Sequence, residues 1–548
     1  MNLVELFAIL VIVNPLSLFR SRMAFDILIT GGTIIDGTGR PQFKGDVGIS
    51  GGRIHDVSES SLAGAKAEEI IDATDKFVVP GFIDITSQAE KNWSLFQNPG
   101  QDYLLTQGVT SILIGNCGSS LAPFASPEAI ESLRKWTHDH EANVNWLSVG
   151  EFLSELSRHH LGLNVGTLVG HGTIRRGILK DQVRPMSPEE LTEFGAVIER
   201  GMQEGAFGLS TGLVYSHEAP ATIEELSLLA KVVARAAGIY KTHLRHEGRD
   251  LAPAVNEAIQ IGRESGVNVI VSHIKAIGRK TWPHFAHVLS MIEHANENGA
   301  FFHYDISPYR RTGSFLYLLL PTWARAKGFK VMLDLITAPE SRAKIIEDIK
   351  KYTLHFDRYI IANSASAGSN GKTLAEISAH TGSSPEEALL NLLAANDGRV
   401  VVFGRTLSYR NLEVGIKHPL AIIASDGNGV SEDLGKSGIL VHPRSTGTFP
   451  HFLHRFVKER ALMTWEEGIR KITSAPAELI GFKERGRIAK GFYADLVVFN
   501  PETIHDRSTY HNPYVHPIGI DSVLVNGKLA VDGGALTGAA AGEMLKKS

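Results

Sequence analysis

The stretch Val267–Lys275, which reads VNVIVSHIK, sets the fold class of the chain. Its short apolar run predicts a buried β-strand, and this strand ends in a polar residue, His273. The preceding segment, Leu251–Gly266, has apolar residues three and four positions apart, as in an amphipathic helix. A buried strand that alternates with such a helix predicts a parallel sheet in an α/β protein.

The same unit recurs along most of the chain. We expect eight buried strands, at Phe77–Ile85, Val109–Gly115, Leu163–Gly170, Ala206–Leu213, Ile239–Arg245, Val267–Lys275, Ala300–Ser307 and Leu420–Asp426. Repeated strand and helix units of this kind predict a (β/α)8 TIM barrel, placed at residues 79–489. The last connection is too long for one helix, and a loop of that length without structure of its own is uncommon, so we expect an inserted subdomain at about 312–364.

Both ends of the chain show a different pattern, of short strands and tight turns. Apolar runs flank Gly31-Gly32 and Gly51-Gly52 near the start and Asn526-Gly527 near the end, a spacing typical of β-hairpins. We therefore expect a small β-sandwich domain assembled from residues 23–78 and 490–548. Two unrelated edge hairpins are the alternative.

The first 22 residues differ from the rest. Their apolar run, Leu6–Val13, is interrupted by Asn14-Pro15 and is well short of the roughly 20 residues that span a bilayer. The segment carries Glu5, has its arginines after the apolar run and offers no small-residue cleavage site, so it does not fit a signal peptide. We expect residues 1–22 to be a non-core extension, with Met23 as an alternative start and a weak membrane anchor as the competing interpretation.

Composition and charge are those of an ordinary globular protein. The chain has 548 residues, 43% of them hydrophobic, and 55 Lys and Arg against 59 Asp and Glu give a formal net charge of −4. This balance gives no support for binding to nucleic acid or to an anionic membrane, and we expect neither partner. The single cysteine, Cys117, excludes an intrachain disulfide and a cysteine-rich zinc module, which fits a reducing compartment and predicts a cytoplasmic protein.

Residues suited to metal or acid–base chemistry follow four of the predicted strands. Cys117 follows the second strand, His243 ends the fifth, His273 the sixth and Asp426 the eighth. Because active sites of such barrels lie at the carboxyl ends of the strands, we expect these residues to converge. One thiolate and two imidazoles would give zinc three ligands and leave a fourth position for water, with Asp426 as general base and then general acid. Chance placement is the alternative, since the chain has 23 His.

Several short motifs occur in an order and spacing that are specific when taken together. They are VPGFID at 79–84, QGVT at 107–110, NCG at 116–118, VGHGT at 169–173, STGLVY at 210–215, SDG at 425–427, HPR at 442–444, GTF at 447–449 and GFYAD at 491–495. Together they resemble the D-aminoacylase group (N-acyl-D-amino-acid deacylases) of the amidohydrolase superfamily, from Phe25 to about Leu545.

The resemblance implies an activity and a set of roles. It implies hydrolysis of the amide bond of small N-acyl amino acids, chiefly N-acyl-D-amino acids, to a carboxylate and a free amino acid. Cys117, His243 and His273 would hold the tighter zinc, and Asp426 would be the acid and base. Arg444 would bind the substrate's carboxylate, because a planar guanidinium pairs with a carboxylate in bidentate geometry. Lesser candidates around the substrate are Tyr309, Lys275, Tyr215 and Ser314.

The chain departs from the superfamily pattern just after the first strand. Amidohydrolases usually carry His-x-His there, whereas this sequence has Thr86-Ser87-Gln88. A hydroxyl and an amide are poor ligands for a transition metal. We therefore expect one tight Zn²⁺ site, with the second site lost or weak.

Three interpretations of this departure stay open. The first is a hydrolase with a single zinc, because every other element of the chemistry is intact. The second is a catalytically impaired relative kept for binding or regulation. The third is a cyclic-amide hydrolase similar to hydantoinase or dihydroorotase, in which Gln88 or Glu90 helps the substrate. Those relatives normally use a carbamylated lysine between two metals, so the presence of Cys117 in that role argues against the third.

Overall fold

The structure is a computed structural model that describes residues 24–62, 64–127, 129–130, 144–180, 182–351, 354–366 and 368–547. The predicted extension at residues 1–22 lies outside this range. Among the described residues, none of the helices combines the length and apolar character that crossing a bilayer demands.

The described chain contains β-strands and α-helices in a mixed order. The strands are β1 (Ala24–Ile34), β2 (Phe43–Ser50), β3 (Arg53–Ser58), β4 (Lys66–Asp72), β5 (Phe77–Pro80), β6 (Phe82–Asp84), β7 (Val109–Ile114), β8 (Asn164–Thr167), β9 (Val169–Gly170), β10 (Gly208–Gly212), β11 (Ile239–His243), β12 (Asn268–Val271), β13 (Phe302–Ile306), β14 (Thr312–Phe315), β15 (Tyr359–Asn363), β16 (Val401–Gly404), β17 (Ala421–Ile423), β18 (Leu496–Phe499), β19 (Ile520–Val525), β20 (Lys528–Asp532) and β21 (Ala535–Leu536). The α-helices are Ser94–Gln97, Asp102–Leu105, Val149–Leu156, His171–Leu179, Pro188–Gln203, Ile223–Arg235, Leu251–Ser265, Phe285–Glu297, Thr322–Arg325, Phe329–Thr337, Pro339–Lys350, Leu374–Thr381, Pro385–Ala395, Tyr409–Lys417, Glu432–Lys436, Arg444–Phe452, Trp465–Arg470 and Ser474–Ile480.

The central strands are parallel and buried. One sheet has the order β6-β7-β8, and a second has the order β17-β13-β12-β11-β10-β9. The two sheets adjoin at Leu168, between β8 and β9, where the Leu168 amide donates to the Ile114 carbonyl at 2.9 Å. At the other side, Gln88 and Asn428 form a parallel bridge just beyond β6 and β17. Each of the eight predicted strands has a counterpart in this array, and all their carboxyl ends lie at one rim.

The helices between these strands begin where their sequences predict. Ser187 accepts from the Glu190 amide while the Glu190 carboxylate accepts from the Ser187 amide, and Pro188 occupies the first turn. This reciprocal pair satisfies backbone donors that a helix start would leave without partners. The helix then buries Phe194, Ile198 and Met202 in the main hydrophobic core, which also contains residues of the parallel strands. Its apolar stripe is therefore what fixes it to the sheet.

The first predicted strand is divided in two. β5 pairs antiparallel with β18, whereas β6 pairs parallel with β7, so Phe77–Ile85 serves two different sheets. The division falls at Gly81, where an added Cβ would lie 2.1 Å from the Thr110 hydroxyl oxygen. Only glycine allows the two sheets to approach so closely at this point.

Both chain ends join in one nine-stranded sheet of order β21-β20-β19-β18-β5-β1-β2-β3, with β4 paired to β1. The hairpins at Gly51-Gly52 and Asn526-Gly527 are confirmed. The predicted hairpin at Gly31-Gly32 is wrong, because β1 runs through both glycines as a single strand. Its register against β2 shifts there, and Gly31 has a φ of 71°. The two glycines therefore form a bulge, which the sequence pattern alone does not distinguish from a turn.

A separate unit lies between β13 and β17. Its strands β14, β16 and β15 form an antiparallel sheet in that order. Its own apolar core includes Leu316, Ile361 and Leu389. The unit extends beyond the predicted end at residue 364 to Gly404, because β16 pairs with both β14 and β15. The sequence expectation missed β16, a short strand that follows two helices.

Candidate functional site

Four side chains meet at the rim where the parallel strands end. Cys117 lies beyond β7, His243 is the last residue of β11, His273 lies beyond β12 and Asp426 lies beyond β17. Cys117, His273 and Asp426 have positive φ angles of 54°, 36° and 53°. Residues other than glycine rarely adopt this conformation, and such strain is concentrated at functional sites.

Cys117, His243 and His273 form a compact cluster of donor atoms. One donor atom from each lies within 4.8 Å of the other two. The Cys117 Sγ is 3.4 Å from His273 Nε2, and the two imidazole centroids are 4.3 Å apart at an interplanar angle of 79°. All three side chains are buried or nearly so. A thiolate and two imidazoles match the donor types that zinc prefers, with room for a fourth ligand.

A carboxylate, Glu247, contacts both histidines, and an ammonium, Lys275, contacts His273. Glu247 Oε1 lies 3.2 Å from His273 Nδ1 and 3.6 Å from His243 Nε2. Lys275 Nζ lies 2.5 Å from the same carboxylate oxygen and 2.7 Å from His273 Nδ1. Partners of this kind fix the orientation of a metal-binding imidazole and leave its other nitrogen facing the metal.

The two imidazoles differ in protonation. Burial lowers the pKa of His243 to about 3, and its buried Nδ1 has no hydrogen-bond partner within the described part of the chain. Burial and Lys275 also oppose a proton on His273, but the negative charges of Asp426 and Cys117 outweigh them and raise its pKa to about 10. A divalent cation would neutralise that negative charge, and coordination requires the ligating nitrogen to be free of a proton. The donor set therefore fits a zinc ion.

Asp426 lies beside the cluster and forms an ion pair with Arg444. Its Oδ2 is 2.7 Å from Arg444 Nη1, and its Oδ1 accepts from Gln88 Nε2 at 3.2 Å. Burial favours the neutral carboxyl, but Arg444, followed by His273 and Lys275, lowers the pKa of Asp426 below its usual range. Asp426 is thus ionised at neutral pH and able to accept a proton.

The other predicted residues lie around the same space. A cavity of about 570 Å³ is lined by Cys117, His243, His273, Asp426, Arg444, Lys275, Tyr215 and Ser314 among others. Tyr309 lies with Arg444 and Asp426 at an adjoining pocket, with its hydroxyl 3.4 Å from the Pro443 carbonyl and its ring stacked on His451. The Tyr215 ring lies 5.4 Å from the His243 ring. The structure brings all nine predicted side chains together.

Two residues near the cluster were missed by the sequence reasoning. Glu247, four positions after His243, contacts both histidines and Lys275. Lys241 is fully buried and reaches Thr86 and Asn116. Lys241 had an available signal: it stands two residues before His243 in a strand, so both side chains lie on the same face. Glu247 lies in a loop, where no periodicity indicates the direction of its side chain.

Sequence comparisons place the chain among known hydrolases. The profile of the amidohydrolase family matches residues 367–531. The N-acyl-D-glutamate deacylase of Alcaligenes xylosoxydans xylosoxydans is 31% identical over 502 residues, which is 92% of this chain and 93% of that protein.

Solved structures give the same result. The N-acyl-D-glutamate deacylase of Bordetella bronchiseptica, complexed with zinc and a phosphonate that mimics the tetrahedral intermediate, has a TM-score of 0.81 and 30% identity; the match covers 96% of this chain and 100% of that one. A D-aminoacylase has a TM-score of 0.80 and 29% identity over 95% of this chain and 100% of its own. Its binuclear metal centre is described as activated by one metal and attenuated by the second.

Proposed function

The chain belongs to the amidohydrolase family of N-acyl-D-amino-acid deacylases, and we propose that it is a zinc-dependent hydrolase that converts N-acyl-D-amino acids to a carboxylate and a free D-amino acid. The observation that carries this proposal is the convergence of two elements in one cavity. The cluster of Cys117, His243 and His273 stands directly beside the ion pair of Asp426 and Arg444. The first element suits a catalytic metal and the second suits proton transfer next to an anionic substrate group.

The proposal includes the architecture that presents this cavity. The eight parallel strand segments are taken as a (β/α)8 barrel at 79–489, and the nine-stranded sheet as the small domain of residues 23–78 and 490–548. The antiparallel unit that begins at Thr312 is taken as a subdomain inserted over the substrate. Its residues Ser314 and Phe403 line the cavity together with the barrel residues, which supports this arrangement.

Cys117, His243 and His273 are assigned to hold one zinc ion. When bound, the metal would polarise the scissile carbonyl and activate the attacking water. The three side chains leave a fourth coordination position, as a catalytic zinc site requires. Glu247 and Lys275 keep the His273 ring in place, so its Nε2 faces Cys117 Sγ.

Asp426 is assigned to move the proton. It takes the proton of the attacking water and gives it to the departing amine nitrogen. Two contacts fix its carboxylate, one to Gln88 and one to Arg444, so its oxygens remain close to the thiolate and the imidazoles. An ionised carboxylate in this position is a competent base, and protonation by water prepares it to act as the acid.

Arg444 is assigned to bind the substrate's carboxylate. Its guanidinium has five donors, and Asp426 uses only one edge of them. An added Cβ on Gly313 would lie 3.3 Å from Arg444 Nη2, so the glycine leaves space along that side of the guanidinium. Tyr309, Lys275, Tyr215 and Ser314 would complete the wall around the substrate.

A substrate panel tests the proposal. The full chain, loaded with zinc, is incubated with N-acetyl-D-amino acids, the matching L-series and a 5-substituted hydantoin, and free amino acid or ring opening is measured. We expect release from the D-series and none from the others. Ring opening alone would favour a cyclic-amide hydrolase, and no turnover of any compound would favour a binding protein.

The Asp426→Asn variant tests the assigned chemistry. It keeps the side-chain shape but cannot accept the proton, so kcat should fall by about 10²–10⁴-fold. Zinc content, measured on the same sample, should be unchanged. Full activity of this variant at normal zinc content would refute the acid–base role.

A further inference from the structure

Thr86 and Gln88 stand where the resemblance predicts the two histidines of His-x-His, and both are buried in the structure. The Gln88 amide donates to the Gly427 carbonyl at 2.9 Å, which fixes the backbone between the first and eighth strands. Thr86 is fixed through its amide, which donates to Asp84 Oδ1 at 3.2 Å. Both side chains already make hydrogen bonds: Thr86 Oγ1 accepts from Lys241, and Gln88 Nε2 donates to Asp426.

Thr86 contacts a buried ammonium group. Lys241 has no exposed surface, and its Nζ donates to Thr86 Oγ1 at 2.6 Å and to Asn116 Oδ1 at 2.9 Å. The same Nζ forms an ion pair with Asp305 Oδ2 at 2.9 Å. Asp305 Oδ1 in turn accepts from the His273 amide at 2.7 Å. The Lys241 ammonium therefore connects Thr86, just beyond the first strand, with Asn116 and Asp305. Asn116 precedes Cys117 in the sequence, and Asp305 contacts the backbone of His273.

Gln88 contacts the cluster itself. Its Nε2 donates to Asp426 Oδ1 at 3.2 Å and lies 3.5 Å from Cys117 Sγ. Its Oε1 is buried and has no hydrogen-bond partner among the residues that the structure describes. The Gln88 amide group thus links the Cys117 thiolate to the Asp426 carboxylate through its hydrogens. A second metal ion would have to link the same two groups through its positive charge.

We propose that Lys241 and Gln88 together take the place of a second metal ion in this site. Lys241 supplies the fixed positive charge, and Gln88 supplies the link between Cys117 and Asp426. Both are positioning residues: they act through the thiolate, the carboxylate and the backbone of His273. The inference rests on the proposed function only for its catalytic consequence, since the number of metal ions can be measured without any substrate.

The hydrogen bonds in this part of the rim oppose the binding of a second cation. Thr86 Oγ1 and Asn116 Oδ1 already accept from Lys241, and Asp426 Oδ1 accepts from Gln88. Gln88 Oε1 alone among these acceptors has no donor within the described residues, so a divalent cation here would meet one free oxygen and otherwise donor hydrogens. It would also take from the buried Lys241 ammonium two of the acceptors that accompany its ion pair with Asp305, and a buried ammonium left without such partners is costly.

Zinc stoichiometry tests the inference. The full chain and its variants are titrated with Zn²⁺ alone by calorimetry, and bound zinc is counted by elemental analysis after desalting. The wild type should bind one ion. Thr86→His/Gln88→His should still bind one, because Lys241 remains. Adding Lys241→Thr should create a second site that binds about 10–100-fold more tightly than any second site of the double variant.

A matched control uses a second buried lysine. Lys471 donates to the His418 and Ala421 carbonyls at the opposite end of the eighth strand. Lys471→Thr in the same double-histidine background should leave one zinc per chain. Two tight zinc ions in the double variant, or one in a folded triple variant, would overturn the inference.

Gln88→Leu tests the proposed role of Gln88 with a single substitution. It removes the amide at nearly constant size, so Asp426 loses its link to Cys117. We expect kcat to fall by about 10–100-fold, with KM within about twofold and one zinc retained. Gln88→Glu should not restore kcat, because a carboxylate cannot donate to Asp426. A kcat of Gln88→Leu equal to that of the wild type would overturn the inference.

Absence of deacylase activity in every protein, with one zinc bound by the double variant and two by the triple variant, would refute only the proposed function.

Discussion

The rim of the parallel strands has two unlike halves. In the ligand half, formed by Cys117, His243 and His273, donor atoms face one another across less than 5 Å, and His243 Nδ1 is without a partner among the described residues. In the plugged half, formed by Thr86, Gln88 and Lys241, the oxygen of Thr86 accepts a proton of Lys241, and the amide of Gln88 donates to Asp426. The comparison teaches that a strand end suits a metal ion where thiolate and imidazole donors converge, and suits it poorly where most of the available oxygens already accept hydrogen bonds.

The largest expected effect is loss of the thiolate in the ligand half. Cys117→Ala removes the one soft anionic ligand, so zinc should be lost on desalting and turnover should fall to the buffer background. The matched change in the plugged half is Thr86→Ala, which should retain one zinc. Both variants are compared by elemental analysis and by release of free amino acid. A Cys117→Ala protein that keeps its zinc would show that the two halves do not differ as described.

An intermediate effect is expected at Arg444, which connects the rim to the substrate. Arg444→Lys keeps the charge but loses the bidentate geometry, so KM should rise by about 10–100-fold while zinc content is unchanged. Removing the charge with Arg444→Met should also raise the pKa of Asp426, because Arg444 is the main group that lowers it against burial. The acidic limb of the kcat/KM profile should then move to higher pH. Arg310→Lys, a change at an exposed arginine that follows Tyr309 in the sequence, serves as the control. An unchanged KM for Arg444→Lys would remove Arg444 from substrate binding.

Much of the site was accessible from the sequence because strands and their ends are local features. Short apolar runs gave each of the parallel strands within a few residues, and the residue that follows a strand must lie at its carboxyl end. The Asn526-Gly527 turn was equally local, since both residues adopt positive φ in the structure. These predictions needed no knowledge of which segments pack together.

The remaining features depend on contacts between distant segments. The division of the first strand at Gly81 results from Thr110, a neighbour on another strand. The continuity of β1 through Gly31 and Gly32 depends on Asp46, whose carboxylate accepts from the Gly31 amide at 2.7 Å. The role of Lys241 depends on Thr86 and Asp305, which are far apart in the sequence. No local pattern contains these pairings, so the bulge, the broken strand and the buried ammonium emerge only from the folded chain.

The remaining expected effect is on stability and concerns Glu90, which follows the plugged half. Burial raises the pKa of Glu90 to about 7, while its Oε1 accepts from the Gly115 amide at 3.0 Å. The folded protein therefore keeps a proton on Glu90 at pH values where the unfolded chain has lost it. Because the folded state then binds more protons, this group lowers the free energy of unfolding as pH rises from about 4.5 to 7. Glu90→Gln retains the acceptor and removes the titration.

The difference between Glu90→Gln and the wild type should therefore depend on pH. It should be small at pH 5 and reach about 3 kcal/mol in favour of the variant above pH 7. Thermal unfolding of the zinc-loaded proteins at pH 5 and pH 8 measures it as a gap in Tm that widens at the higher pH. Glu59→Gln, at an exposed position, serves as the control for replacing a glutamate that is not buried. A constant gap for Glu90→Gln would mean that Glu90 ionises in the folded protein as readily as in the unfolded chain, and that the plugged half tolerates a further negative charge beside Gln88.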